Sequence, residues 1–284
     1  GLLLSIDKDQ FRYNTRLTAI TVAQHMITHV PDTLFHHTPA LRSALLFHND
    51  LTHVPPNFFS KCPELTTVRL DLNDLKALHP NTFDGNPKLN SLSLQGNDLT
   101  TLPSDLFKNN TELRQVHLDS NKLTSLPRTL VAEATQLTEL TASQNQLTAF
   151  SLTHAEALRF LELSANPLQH MPDVSKMPTL LSLRINDHTL PEINIDPLLN
   201  LRFLQVVELD AAHRHEWRLT ATISQLHDWV YSANITTLHL VGAQLPLSFL
   251  HELSTVGMRV TSLSLGWSGM DEAYAPSDVV CSLL

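Results

Sequence analysis

The stretch Leu92–Pro127 reads LSLQGNDLTTLPSDLFKNNTELRQVHLDSNKLTSLP, and its two ends, LSLQGNDLTTLP and VHLDSNKLTSLP, superimpose after a shift of 24 residues. Carried outward, the pattern LxxLxLxxNxLxxLPxxLF starts at Leu17, Leu41, Leu65, Leu89, Leu113 and Leu137, always 24 residues apart. The phase persists at Leu158, Leu180, Leu204, Ile235 and Val260 with unequal spacing. Equal intervals with matched residue types identify an internal repeat, and such a chain grows by stacking units. Leu3, Ile6 and Phe11 fit the tail of an earlier unit, so we expect one repeat domain over 1–284 that is a fragment of a longer chain.

Each position in the pattern has a physical reading. In LxxLxLxx the alternating leucines point inward and the x residues outward, which predicts a short strand per unit in a parallel sheet. One unit cannot bury its own apolar edge, so neighbours must stack on it. Asn49, Asn73, Asn97, Asn121, Asn145 and Asn166 share one phase, where the chain leaves the strand. An amide has donors and an acceptor for turn backbone groups, so these residues predict a structural asparagine ladder. Phe11, Phe35, Phe59, Phe83 and Phe107 form a second column, expected as an aromatic spine on the convex side. Pro31, Pro55, Pro103, Pro127 and Pro172 mark a segment that is neither regular helix nor central strand.

The second half departs from this order. The ladder phase becomes His188, Ala212, Ala243 and Ser268, and the Phe column passes to Val131. We therefore divide the domain into regular repeats (1–166) and irregular repeats without the ladder (167–284), with a change of curvature or twist expected after about Asn166. Leu219, Ile223, Leu226 and Val230 recur at helical spacing and predict an amphipathic helix on the convex face. A second short helix is expected over Leu247–Thr255.

These features are those of leucine-rich repeat proteins of the 24-residue type found in extracellular animal proteins. The resemblance implies an α/β solenoid: a leucine-rich repeat horseshoe with a parallel concave β-sheet and an irregular or short-helical convex side. LTHVPPNFF, LTSLPRTLV and LPSDLFKNNTEL further resemble Toll and Toll-like receptor ectodomains. That resemblance implies a ligand-binding, dimerising, non-enzymatic receptor segment in innate immunity or development, binding a protein or microbial ligand. The expected partners are a protein ligand or co-receptor and a homo- or heterodimer mate. A membrane span and a signalling domain would lie outside the segment, and the location would be extracellular, at the cell surface or in the endosomal lumen. The alternative is a secreted or matrix repeat protein that acts as a binding or adhesion module without signalling.

Composition narrows the chemistry. A formal charge of −9 and the absence of any Lys/Arg block argue against nucleic acid as a partner. No apolar run reaches the ~20 residues that a membrane helix needs, and no basic-then-apolar leader follows Gly1. His36-His37 and His213-Arg214-His215 lack Cys or carboxylate at ligand spacing, so no metal or other cofactor is expected. His117 and His239 are the histidines placed for a pH response on the concave face. Gly266-Trp267-Ser268-Gly269 resembles a nucleophile elbow, but Met270 stands where glycine is required, so no catalytic residue is assigned. Cys62 and Cys281 lie nine repeats apart, out of mutual disulfide reach. They are either free thiols or, alternatively, a C-terminal cap residue at Cys281 or a bridge to another chain.

The recognition surface is expected on the outward columns of the concave sheet. One runs Thr21, Leu45, Arg69, Ser93, His117, Thr141, Glu162, Arg184, Glu208, His239, Ser264, and the next runs Ala23, Phe47, Asp71, Gln95, Asp119, Ser143, Ser164, Asn186, Asp210, Val241, Gly266. Ligand-binding candidates are Leu45, Phe47, Arg69, Asp71, His117, Asp119, Arg184 and His239; apolar and Arg side chains are anchors, with Ser and Thr as filler. Asn109 and Asn234 head glycosylation sequons in loops before a strand.

Overall fold

Alternating leucines produce strands only three residues long, because the chain must turn at the ladder position of every coil. The computed structural model describes residues 3–212, 215–220, 225, 229, 235–244 and 260–265. Fourteen short strands occur among them: β1 (Ala19–Thr21), β2 (Ser43–Leu45), β3 (Thr67–Arg69), β4 (Ser91–Ser93), β5 (Gln115–His117), β6 (Glu139–Thr141), β7 (Phe160–Glu162), β8 (Ser182–Arg184), β9 (Glu192–Asn194), β10 (Val206–Glu208), β11 (Trp217–Thr220), β12 (Thr237–His239), β13 (Ala243–Gln244) and β14 (Ser262–Ser264). Eleven form one parallel sheet in the order β1-β2-β3-β4-β5-β6-β7-β8-β10-β12-β14. The middle residue of each strand from β1 to β12 in this sheet is buried, and the first and third face outward to varying degrees.

The pairing register follows the repeat. Leu45, Arg69, Ser93, His117 and Thr141 stand side by side across β2–β6, as do Glu162, Arg184, Glu208 and His239 across β7, β8, β10 and β12. Inside the coil, Leu41, Leu65, Leu89 and Leu113 are fully buried in one continuous apolar core. Phe11, Phe35, Phe59, Phe83 and Phe107 stack in sequence at 5.8–6.4 Å between centroids.

Two polar ladders close the turns. Asn73 Nδ2 donates to the carbonyls of Leu46, Leu70 and Asp71, while its Oδ1 accepts from Leu51 N at 3.0 Å. Asn97, Asn121 and Asn145 repeat this arrangement one coil further each time. The residue before the ladder position is left-handed in every coil from Gln24 to Asp187, with φ between 52° and 66°. Gly96 is the one glycine among these eight positions, and a Cβ there would meet Leu72 Cδ2 at 2.8 Å. On the convex side a second column, Thr38, Cys62, Asn86 and Asn110, is fully buried. Asn86 Nδ2 donates to the carbonyls of Phe59 and Cys62 at 2.9 Å. Cys62 is a rung of this column: its thiol lies 3.7 Å from Thr38 Oγ1 and from the Phe35 carbonyl, and burial pushes its pKa up.

Past Asn166 the turns are closed by aromatic heterocycles. Ala212 has no amide, so Leu209 O and Leu190 N would lose their ladder partner. His188, fully buried one coil earlier, supplies both: Nε2 donates to Leu209 O at 3.0 Å and Nδ1 accepts from Leu190 N at 3.2 Å. Trp217 Nε1 donates to Val241 O at 3.0 Å beside Ala243, and its ring packs against His188. Here β9, β11 and β13 form a separate three-stranded parallel sheet.

Leu219, expected in a helix, lies in β11, because Trp217, Arg218 and Thr220 alternate with it in a strand that pairs with β9. Gln225 and Trp229 are helical. Ile223, Leu226, Val230, the 247–255 helix, Asn234, His213, Arg214, Gly266–Met270 and Cys281 lie outside the described residues. Among the described residues no helix is long and apolar enough to cross a membrane.

Candidate recognition face

The outward columns bring the candidate residues together in three groups. In the first, the Arg69 guanidinium carbon sits 4.3 Å from the centre of the Phe47 ring. The same guanidinium grips Asp71 with two hydrogen bonds, Nε to Oδ1 at 3.0 Å and Nη2 to Oδ2 at 2.7 Å. Arg69 keeps a side-chain exposure of 45%, whereas Asp71 retains 7%. Asp71 is therefore the support beneath Arg69 and is not itself open to a partner. Leu45 is half-buried beside Arg69, and the exposed Leu72 extends the apolar surface. The result is a rigid platform in which an aromatic face and a carboxylate both hold one cation in place.

The second group is centred on His117. Ser143 donates to Asp119 Oδ1 through both its backbone N (2.8 Å) and its hydroxyl (2.7 Å), and the Thr141 hydroxyl donates to Asp119 Oδ2. A hydroxyl has one proton, so the 3.2 Å contact between Thr141 Oγ1 and His117 Nδ1 requires a proton on Nδ1. Neutral His117 then presents Nε2 as an acceptor on the concave face.

In the third group charge alternates along the central column. Glu208 accepts from Arg184 Nε at 3.2 Å and from Asn186 Nδ2 at 2.8 Å. Asp210 accepts from Val241 N at 2.9 Å and faces His239 at 3.8 Å, and His239 Nε2 lies 3.0 Å from Ser262 Oγ. Burial pushes the carboxyl pKa of both Glu162 and Asp210 upward, so this end of the sheet holds carboxylates short of solvent. These eight candidates thus fall into a Phe47–Arg69 platform, a His117 relay and an Arg184–His239 charged row spread along the sheet. Thr141 and Ser143, read as filler, are the residues that orient His117 and Asp119. Comparing adjacent columns coil by coil would have placed both beside Asp119.

On the flank, the Asn109 side chain is exposed while its neighbour Asn110 is buried in the convex column, donating to Phe83 O and Asn86 O.

A leucine rich repeat family model matches residues 45–99, 87–147 and 111–168. The fold is a leucine-rich repeat solenoid. Solved structures of similar fold superimpose along nearly all of its length. Toll in the Drosophila Toll–Spatzle complex superimposes with a TM-score of 0.75 at 23% identity, over 92% of this chain and 36% of that one. The leucine-rich repeat domain of APL1B gives 0.68 at 20% identity, over 93% of this chain and 69% of that one. TLR13 in its complex with ssRNA13 gives 0.69 at 20% identity, over 93% and 42%. The repeat protein thus spans about a third of the Toll chain that it matches. No curated protein sequence matches it.

Proposed function

We propose that this repeat protein is the recognition segment of a Toll-like receptor ectodomain, non-enzymatic, facing the extracellular or endosomal side, which binds a protein ligand on its concave sheet and works as a dimer. The observation that carries the reading is the Phe47–Arg69–Asp71 platform: a cation fixed over an aromatic ring on a rigid outward face. Arg and aromatic side chains held in one rotamer lose little entropy on binding, which makes such groups anchors. The likeness of fold to Toll in complex with Spatzle supports a protein as the ligand class. It also supplies the first probe. Spatzle binding to the repeat protein, measured by surface plasmon resonance, should weaken at least tenfold, about 1.4 kcal/mol, in Phe47→Ala. The thermal midpoint should stay within about a degree, since the ring is half-exposed. Unchanged binding in Phe47→Ala and Leu45→Ala would remove this face from recognition. Arg69→Glu is the wrong probe, because it leaves Asp71 without its cation and loses stability as well as binding.

A second reading has one observation in its favour. The match reaches 85% of the APL1 leucine-rich repeat domain, much more than of Toll, and LRIM1 and APL1C are known as a complex of two chains. On that reading the protein is a secreted binding module whose partner is another repeat chain.

A further inference from the structure

Two coils carry the same pentapeptide ending, Ile27-Thr28-His29-Val30-Pro31 and Leu51-Thr52-His53-Val54-Pro55, 24 residues apart. Stacking puts the two histidines side by side on the surface, with ring centres 5.1 Å apart and planes at 68°. Their backbones are tied together immediately before the rings, where Thr52 N donates to Thr28 O at 3.4 Å. Behind each ring a buried valine and a proline fix the chain. Each Nδ1 is occupied by the hydroxyl of the preceding threonine, His29 with Thr28 at 2.8 Å and His53 with Thr52 at 3.3 Å. Each Nε2 has no hydrogen-bond partner among the described residues, and both side chains are exposed.

From this we infer that His29 and His53 form a two-imidazole surface site for a borderline divalent cation, with zinc the best fit. A zinc ion ~2.0 Å from each ring nitrogen, and so ~3 Å from each ring centre, sets two rings ~5 Å apart at a tetrahedral angle. A cis right angle, as in square-planar copper, would bring them to ~4.5 Å. The observed 5.1 Å matches the tetrahedral case. With Nδ1–H donating to the threonine oxygen, the neutral ring carries its lone pair on Nε2, and binding of the ion selects this tautomer, the role that an outer hydrogen bond plays in zinc sites. As the two nitrogens bind, the hydrated ion sheds water until two waters complete the tetrahedral shell. No group of three or more His, Cys, Asp or Glu is gathered for a metal among the described residues, so this is an open, exchangeable site and not a structural one that the fold requires. It is independent of the concave face and of the receptor reading.

The test is a zinc titration of the whole chain at neutral pH, followed by the imidazole NMR signals of the 16 histidines. His29 and His53 should move together, before the others, and saturate at one ion per chain. His29→Ala should abolish the response of His53, and His53→Ala that of His29, whereas His37→Ala should leave both intact. Circular dichroism should show all three variants folded, and His29→Gln with His53→Gln serve as replacements if an alanine variant is not. Acidification should reverse the binding as protons displace the ion. The inference is overturned if other histidines respond first, or if His29 still responds in the His53 variant, which would mean separate single-imidazole contacts.

Discussion

Thr141 has one hydroxyl proton, and where it goes decides what His117 offers a partner. Because Asp119 takes it, His117 is held with its proton on Nδ1, opposite to the tautomer that a free imidazole side chain prefers. Nitrogen-15 NMR at neutral pH should therefore show Nδ1 protonated and Nε2 bare, and Thr141→Val should return the ring to the common form. A bare Nδ1 in the unmodified protein would break the relay. Much at this scale could be read from residue types: outward Phe47 and Arg69 stand out in their columns. What could not be read is that Arg69 is committed to Asp71, or that a serine and a threonine hold a carboxylate. Those depend on which rotamers meet across a strand, and a column of letters does not encode rotamers.

Among the elements, strands and turns were legible because their periods are strict, and the failures lie where the period is broken. Leu219 suits a helix or a strand equally by spacing, and pairing with β9 decides it. Past Asn166 the sequence shows a ladder that stops, whereas His188 and Trp217 continue its hydrogen bonding with rings that no amide pattern would flag. His25 holds the other end at the ladder phase: its Nδ1 accepts from Leu3 N at 3.4 Å across 22 residues, the same relation that Asn73 has with Leu51. The substitution of imidazole for amide has a pH consequence. Burial pushes the His188 pKa down from 6.5 to about 4, since a charged ring there would be desolvated and would turn a second N–H against Leu190 N. The unfolded chain therefore binds the extra proton first. His188 stabilises the fold fully above pH ~6.5, and its contribution, on the order of 3 kcal/mol, is lost as the pH falls toward 4. Glu162 and Asp210, with raised pKa, act in the opposite sense and favour the fold at low pH, offsetting part of the loss. Chemical denaturation should show stability falling from pH 6.5 to 4.5 in the native protein and falling by clearly less in His188→Asn. Equal slopes would show that His188 does not govern the acid response.

For the whole molecule, a 24-residue period was enough to give the solenoid, its parallel sheet and the location of its core, since nothing but stacking can bury each unit's edge. The receptor reading makes a prediction at the same scale. Made in a secretory host, the protein should carry a glycan on the exposed Asn109, so that glycosidase treatment lowers the mass of its peptide and Asn109→Gln removes the shift. An unmodified Asn109 in natural material would weigh against an extracellular site. The ladder also gives the array a direction in time. Each amide reaches back to complete the turn before it: Asn97 closes Leu75 N, Asn121 closes Leu99 N and Asn145 closes Leu123 N. As the chain leaves a ribosome, a coil is finished only when its successor arrives, so a growing array always has one open turn, at its newest coil. Excision of a complete unit, such as residues 89–112, would rejoin an asparagine to a turn of the same kind. Lengthening or shortening by whole coils should therefore leave every remaining turn closed.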